Sequence, residues 1–192
     1  MPEKKNRKTD RRTLYTRQVI KDAFLSLKKG RDFNSITVSA ICKEAEISRG
    51  TFYLHYQNTR DVLDDILDDI MPQTSELTAQ LSLSQGDVSC CLSPFCAFIR
   101  ENEQYHCIFL DDSLSAYLVE KILSGYKETT LRQLSQNSSL SHRQLEDLLC
   151  FQFNGCFAVI KRNICLGTSE WEQIRTCIDR FIKSGFEAHC LD

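Results

Sequence analysis

Segment 37–63 holds the side chains whose types and spacing best fit a chemical task. Its pattern predicts a short helix, a tight turn and a second short helix with little to bury on its outer side. Arg49, Thr51 and Tyr53 fall on that outer side, and His55 follows just beyond. Arginine can donate hydrogen bonds to guanine in the DNA major groove, and a threonine methyl group can contact a thymine methyl group. The segment is therefore typical of a helix that reads a major groove.

The same region is predicted to attract phosphate independently of base sequence. A helix N-terminus offers free N–H groups, and Gly50 allows the backbone to approach a sugar-phosphate chain closely. Residues 1–60 carry 14 Lys and Arg against 6 Asp and Glu, whereas residues 61–192 carry 10 against 20. A basic head on an acidic body indicates that the head binds a polyanion.

A run of aspartates offers an alternative chemistry. Asp64, Asp65 and Asp68 form a D-D-x-x-D pattern, and carboxylates four residues apart share one face of a helix and can bind Mg²⁺. All-α isoprenoid synthases bind diphosphate in this way, but they need a longer chain and a second acidic motif. The pair Asp111–Asp112 is a poor substitute for that motif. A solvated acidic helix face explains the run as well, so we predict a protein that is not an enzyme.

The ten cysteines do not form a recognisable site, because no two have C-x-x-C spacing. Reduced thiols packed as small apolar side chains explain them. A redox-sensing group at Cys90, Cys91 and Cys96 is the alternative. The pairs His106–Cys107 and His189–Cys190 lack partners at metal-site spacing, so we predict no metal site and no cofactor.

Helical periodicity with sparse Gly and Pro predicts an all-α protein. A first helix follows Thr13 and ends at Gly30, and a fourth helix over about 59–71 ends at Pro72. Side chains suited to N-caps precede the second, third and fourth helices: Thr37, Ser48, and Asn58 with Asp61 in capping-box spacing.

Four longer helices are predicted over about 91–109, 113–136, 142–165 and 170–188, after a Ser/Gln/Thr-rich stretch that fits a loop or a weak helix. Ser141 with Gln144, and Ser169 with Glu172, have capping-box spacing at the last two starts. The wide apolar faces of these two helices predict a homodimer. No apolar run is long enough for a membrane span and no signal-peptide core is present, so we expect a cytoplasmic protein.

Within this framework, residues 12–70 resemble the N-terminal DNA-binding domain of TetR-type (TetR/AcrR) transcriptional repressors. The family motif runs T-V-x-x-I-x-x-x-A-x-V-S-x-G-T-x-Y-x-H-F-x-x-K. The residues that match it as they stand are Thr37, Val38, Ile41, Ala45, Ser48, Gly50, Thr51, Tyr53 and His55. Tyr56 stands at the Phe position, and Ile47 is a mild variant of Val.

Two positions depart from the motif. Glu46 stands where the turn often has glycine, so a left-handed backbone there would cost about 1 kcal/mol. Thr59 stands where the family has a phosphate-binding lysine. Either the adjacent Arg60 replaces that lysine, or the phosphate contact is missing.

The resemblance implies a role for each matched position. It implies phosphate contacts for Thr37, Ser48 and Tyr53, base-edge contacts for Arg49 and Thr51, and a DNA-backbone contact for His55. Gly50, which allows a close approach, and Arg60, as the replacement for the missing lysine, complete the set of predicted DNA-binding residues. A flexible basic arm over residues 1–12 would add loose phosphate or minor-groove contacts through Lys4, Lys5, Arg7, Lys8, Arg11 and Arg12.

The C-terminal half resembles the family only in architecture, and the resemblance implies a homodimer through the last two helices, over about residues 142–188. An echo at Phe153, Gly155, Ile160 and Lys161 is similar to the dihydroxyacetone-operon-regulator type of effector domain. The resemblance implies a small apolar ligand, and the candidate pocket residues, which ordinary core packing also explains, are Phe95, Phe98, Tyr105, Phe109, Tyr117 and Tyr126.

Together these observations predict four segments: a basic arm (1–12), a helix-turn-helix domain (13–58), a connecting helix (59–71) and a ligand-binding and dimerisation domain (72–192). The predicted function is that of a dimeric repressor that an unknown small molecule releases from its DNA operator. The alternatives are a ligand-independent nucleoid or division protein with the same DNA-binding head, and an Mg²⁺-dependent all-α enzyme that uses Asp64, Asp65 and Asp68.

Overall fold

The computed structural model describes residues 3–82, 93–136 and 138–189, with side chains described there except at 3–10, 72–82, 93–94, 126, 129 and 133. The regular elements of these ranges are helices, which confirms the predicted all-α class. The α-helices are α1 (Glu3–Lys28), α2 (Val38–Glu44), α3 (Arg49–Tyr53), α4 (Thr59–Ser82), α5 (Ser93–Glu101), α6 (His106–Phe109), α7 (Ser115–Gln136), α8 (His142–Asn163) and α9 (Thr168–Glu187). Short 3₁₀ turns lie at Phe33–Ser35, Glu103–Tyr105 and Asp112–Leu114.

The chain forms two compact units. The head unit comprises Met1–Ile70 and Asp111–Ser113, and the body unit comprises Met71–Leu110 and Leu114–Asp192. The head unit is built on apolar residues that recur three or four positions apart along its helices, as the periodicity predicts. The fully buried members of this core are Ile20, Phe24, Ile41, Phe52, Val62 and Leu63.

The short helices of the head unit begin at the predicted caps. The Thr37 hydroxyl oxygen accepts a hydrogen bond from the backbone N–H of Ala40 (3.2 Å). The Ser48 hydroxyl oxygen accepts one from the backbone N–H of Thr51 (3.0 Å). Each bond satisfies a donor that the first helical turn leaves without an intrahelical partner, so both starts are determined locally.

Two helices are longer than the sequence predicts. α1 begins at Glu3 and not after Thr13, because residues 3–12 contain no Gly or Pro and are rich in Lys and Arg, which favour helix. The residues of the predicted arm are thus helical from Glu3 onward. α4 runs through Pro72 to Ser82, so the predicted end at Pro72 is wrong. Proline removes one donor from the helix ladder, but residues 73–82 contain no further Gly or Pro and continue the helix.

A buried ion pair holds residues 111–113 within the head unit. Lys28 Nζ lies 2.8 Å from a carboxylate oxygen of Asp111, and both side chains are 4% exposed. The same carboxylate accepts hydrogen bonds from the backbone N–H groups of Phe33 (3.0 Å) and Ser113 (2.8 Å). Burial raises the pKa of Asp111, but Lys28 and these donors lower it more, so the net pKa lies well below its ordinary value. Asp111 is therefore a structural partner of the α1 C-terminus.

The body unit contains α5 to α9. α8 begins at the predicted capping box, in which Ser141 and Gln144 exchange side-chain to backbone hydrogen bonds. The predicted capping box of Ser169 and Glu172 is wrong, because the N-cap of α9 is Gly167 and Ser169 already lies in its first turn.

Arg100 of α5 closes the C-terminal end of α8. Its guanidinium donates hydrogen bonds to the carbonyl oxygens of Asn163 (2.8 Å), Ile164 (3.1 Å) and Leu166 (2.6 Å). The last carbonyls of a helix have no intrahelical partner, so this side chain supplies what the helix end lacks. The guanidinium also lies 4.8 Å from the centre of the Trp171 ring. One arginine therefore links α5, α8 and α9.

Candidate nucleic-acid interface

Most of the predicted DNA-contact residues lie in or directly beside α3 of the head unit, from its N-cap Ser48 to His55. Two lie on other elements: Thr37 is the N-cap of α2 and Arg60 is in the first turn of α4. Phe52 is fully buried beneath α3, and its ring packs against Tyr53 (5.6 Å between ring centres) and Tyr56 (5.8 Å). This anchor leaves Tyr53 57% exposed and Leu54 81% exposed. Leu54 carries no signal in the sequence, because an exposed leucine is recognised only once the buried side of its helix is known.

Gly50 leaves open space on the outside of α3. A Cβ atom at this position would meet only the Ser48 hydroxyl, at 3.6 Å, which is an ordinary van der Waals distance. Its φ is not positive, so the backbone conformation does not require glycine either. The packing of the head unit therefore does not explain a glycine here.

Glu46 lies in the turn between α2 and α3 with a φ of +51°. This is the left-handed region, which glycine adopts freely and a glutamate adopts at a cost. The left-handed backbone considered for this motif position is therefore present, and the residue that adopts it, Glu46, is one for which this conformation is unfavourable.

The polar side chains of α3 bond to one another and to α2. The Ser48 and Thr51 hydroxyl oxygens are 2.9 Å apart and share a hydrogen bond. Arg49 Nη2 donates a hydrogen bond to the hydroxyl oxygen of Ser39 on α2. Ser39 carries no motif signal, so this contact emerges only when the two helices are folded together.

Arg60, at the start of α4, lies close to the turn that precedes α2. Its guanidinium carbon is 4.7 Å from the centre of the Phe33 ring. Asn58 Oδ1 accepts hydrogen bonds from the backbone N–H groups of Arg60 (2.7 Å) and Asp61 (3.1 Å), which confirms the predicted cap. In a capping box the Asp61 carboxylate would accept a hydrogen bond from the backbone N–H of Asn58. Here it accepts one from the backbone N–H of Gln57 instead (2.7 Å).

The aspartate run of α4 binds the basic side of α1. Arg17 and the Tyr56 hydroxyl both donate to the Asp65 carboxylate, and Lys21 pairs with Asp69. Burial raises the pKa of Asp65, but the bonds from Arg17 and Tyr56 and the charge of Lys21 lower it more, so its net pKa is below the ordinary value. Burial, with the bond to Asp65, raises the pKa of Tyr56. Asp65, the second aspartate of the D-D-x-x-D pattern, therefore holds α1 against α4.

The aromatic residues predicted to contact a ligand pack against each other in the body unit. Phe95 and Phe109 are buried and meet edge to face, with ring centres 5.5 Å apart. Phe98 and Tyr105 stack at 6.1 Å and are half-buried. The other two lie on α7, where Tyr117 is half-buried and the side chain of Tyr126 lies outside the described ones.

The cysteines of the described ranges carry free thiols. Three are buried as small apolar side chains, as predicted: Cys42, Cys96 and Cys156. Three others are exposed, where that explanation is wrong: Cys150, Cys165 and Cys177. Cys90, Cys91 and Cys190 lie outside the described residues. Within the described part of the chain, no three His, Cys, Asp or Glu side chains are grouped as a metal ion would need.

Comparison with known sequences agrees with this geometry. Residues 22–66 match the family described as bacterial regulatory proteins, tetR family. Over 60 residues the chain is 40% identical to YxbF of Bacillus subtilis, an uncharacterised HTH-type transcriptional regulator. That stretch is 31% of this chain and only 16% of the relative, so the two proteins share one domain.

Solved structures are similar over most of the chain. The fatty acid degradation regulator FadR from Bacillus halodurans has a TM-score of 0.66 at 17% identity, and the match covers 87% of this chain and 94% of the FadR chain. The dihydroxyacetone kinase operon activator DhaS has a TM-score of 0.57 at 20% identity, covering 93% and 99%. A TetR transcriptional regulator from Streptococcus agalactiae has a TM-score of 0.57 at 19% identity, covering 89% and 97%. At these identities the likeness concerns the fold.

The fold and the α2–α3 site are those of an all-α protein with an N-terminal helix-turn-helix, an arrangement typical of regulatory DNA-binding proteins. The matched segment, residues 22–66, contains α2 and α3 together with the motif residues, so this N-terminal part of the chain is similar to the DNA-binding domain of the tetR family. None of the described helices is both long and apolar enough to cross a membrane.

Proposed function

We propose that the chain is a transcriptional regulator that binds double-stranded DNA through α3 as a homodimer. The observation that carries the proposal is the outer side of α3, where exposed Arg49 and Tyr53 flank a glycine that the packing does not need. Such a helix fits the major groove, which is about 12 Å wide. A glycine on its outer side lets the backbone approach the DNA closely.

The residues of the interface have two kinds of role in this proposal, contact with base edges and contact with the sugar-phosphate backbone. Arg49 donates to a base edge, and Thr51 turns its methyl group to thymine because its hydroxyl is bonded to Ser48. The residues that hold or approach the sugar-phosphate backbone are Thr37, Ser48, Gly50, Tyr53, His55 and Arg60. These backbone contacts make the affinity fall as salt rises.

The proposed dimer interface is the outer side of α8 and α9. Phe151 of α8 is 69% exposed and Phe181 of α9 is 71% exposed. An open groove of about 990 Å³ follows one side of α9 past Cys177, Phe181 and Gly185. Large apolar side chains on an open face are favourable only if another surface covers them, and a second copy would cover both helices by two-fold symmetry.

We further propose that a small molecule controls DNA binding. In a dimer, two copies of α3 must lie about 34 Å apart to enter successive major grooves. A ligand that prefers a state with another spacing would lower DNA affinity by its coupling energy, about 1–3 kcal/mol. The relative DhaS is described as an activator, whereas the mechanism proposed for this chain is release of a repressor.

The proposed segments follow from these roles. Residues 1–12 supply basic charge, 13–58 bind DNA, 59–71 connect, and 72–192 bind the effector and dimerise. A regulator of this kind acts on the chromosome, so we propose a cytoplasmic location. A ligand-independent DNA-binding protein is the second candidate function, and it predicts a melting temperature that no metabolite raises.

The test is fluorescence anisotropy with the DNA upstream of the chain's own gene, at low and moderate salt and with random DNA as competitor. We expect Tyr53→Ala to lose about tenfold or more in affinity, since a hydrogen bond to a charged group contributes about 1.5–3 kcal/mol. Gly50→Ala should also weaken binding while its melting temperature is equal or higher, because alanine favours helix. Tyr15→Ala is the matched control, since Tyr15 is 71% exposed on α1 and outside α2 and α3.

Binding that is equally tight to random DNA, or that is indifferent to both Tyr53 and Gly50, would contradict the proposal. If the upstream fragment alone fails to bind, selection from a pool of random duplexes replaces it. A chain that enriches no sequence from that pool is not a sequence-specific regulator.

A further inference from the structure

Arg49 is held by a side chain of the preceding helix. Its Nη2 donates to the hydroxyl oxygen of Ser39, which lies ten residues earlier on α2. Both side chains are exposed. A guanidinium has five N–H donors in a planar fork, so one bond to Ser39 leaves the other donors for a base.

The fold of the head unit does not need the Ser39 hydroxyl for itself. Thr37 already caps α2 through the N–H of Ala40, and the exposure of Ser39 means that it fills no part of the core. Serine is also a weaker helix former than alanine. The contact that accounts for a hydroxyl at this position is the one to Arg49.

We propose that Ser39 is a positioning residue that orients Arg49 for base reading. The proposal rests on the proposed function and assigns part of its sequence specificity to α2. A free arginine side chain populates many rotamers and loses that freedom when it binds. Holding the guanidinium before contact reduces this entropic cost. It also confines the guanidinium donors to one base pair, whereas a mobile side chain would reach the neighbouring base pairs as well.

Selection from random duplexes with the full-length chain tests the inference. Wild type, Arg49→Ala, Ser39→Ala and Ser39→Thr are each used to enrich preferred sequences. Arg49→Ala identifies the base positions that Arg49 reads. We expect Ser39→Ala to weaken the preference at those positions and to retain it elsewhere, and Ser39→Thr, which keeps the hydroxyl, to restore it.

Affinity for the selected sequence gives the second measurement. We expect Ser39→Ala to bind it roughly 3- to 10-fold more weakly with unchanged affinity for random DNA, and to have no effect in an Arg49→Ala background. Ser26→Ala is the matched control, because its hydroxyl is also exposed and bonded to a charged residue, Glu44. Melting temperatures of all variants separate positioning from a loss of fold.

Three outcomes would overturn the inference. In the first, the losses from Ser39→Ala and Arg49→Ala add independently. In the second, Ser39→Ala leaves the preference at the Arg49-dependent positions intact. In the third, Arg49→Ala shows that no position depends on Arg49. A wild-type chain that enriches no sequence contradicts the proposed function itself, so the two failures are distinguishable.

Discussion

At the scale of single residues, the turn of the helix-turn-helix carries an unfavourable side chain. Glu46 has a φ of +51°, although it sits between a helix with a polar cap at Thr37 and one with a polar cap at Ser48. Both caps stabilise the N-terminal ends of their helices, and this stabilisation offsets the conformational cost at Glu46.

Glu46→Gly should therefore stabilise the protein. Glycine removes the left-handed cost of about 1–2 kcal/mol but loses more backbone entropy on folding, so we expect a net gain of about 0.5–1 kcal/mol. Urea unfolding with an unchanged slope measures this gain. Glu46→Ala is the control, since it removes the same side chain and keeps the cost. Equal stabilisation by both variants would show that the side chain, and not the backbone, is responsible.

At the scale of elements, α1 and α4 are joined by charge as well as by apolar packing. Asp65 receives Arg17 and Tyr56, and its side chain is 12% exposed. Because this carboxyl has a lowered pKa in the folded protein, its contribution to stability is fully present above its unfolded pKa of about 4. The contribution is lost as the pH falls through the lower, folded pKa.

Asp65→Asn should thus lower the free energy of unfolding at pH 7 by about 1–3 kcal/mol, because it breaks a largely buried charged hydrogen-bond pair. The gap between wild type and variant should narrow as the pH falls below about 4. Chemical denaturation at a series of pH values measures both effects. Asp68→Asn, an exposed aspartate of the same run, is the control and should change stability little. A gap that stays constant with pH would contradict the ionic contribution.

At the scale of the whole molecule, the proposed function requires a second copy of the chain. The head unit offers one α3, whereas a two-fold operator has two half-sites, one for each subunit of a dimer. The exposed phenylalanines of α8 and α9 are the surface on which we base the proposed dimer.

Phe181→Glu should weaken dimerisation by at least about tenfold, because it places a charge in an interface proposed to be apolar. Sedimentation over a range of protein concentrations measures the shift toward monomer, and affinity for a two-half-site operator should fall with it. Leu14→Glu is the control, since Leu14 is 60% exposed on α1. A Phe181→Glu chain that dimerises like wild type would place the interface on another surface.

Features set by neighbours a few residues away were predictable. The caps at Thr37, Ser48 and Ser141 depend on a side chain and an N–H three residues later. The left-handed turn at Glu46 follows from a motif position that usually holds glycine. Predictions of helix ends at Thr13 and Pro72 failed, because each rested on one residue while helix stability is summed over many.

By itself the sequence determined the helical class and the helix-turn-helix, because local propensity, capping and apolar periodicity act over single turns. It also predicted which residues contact DNA. Only the tertiary structure decided that Asp65 bonds a residue 48 positions away, that Lys28 is buried against Asp111, and that Ser39 meets Arg49. The sequence pattern shows which side chains carry charge or hydroxyl groups. Which of them become partners depends on how separate helices pack, and one-dimensional spacing does not contain that geometry.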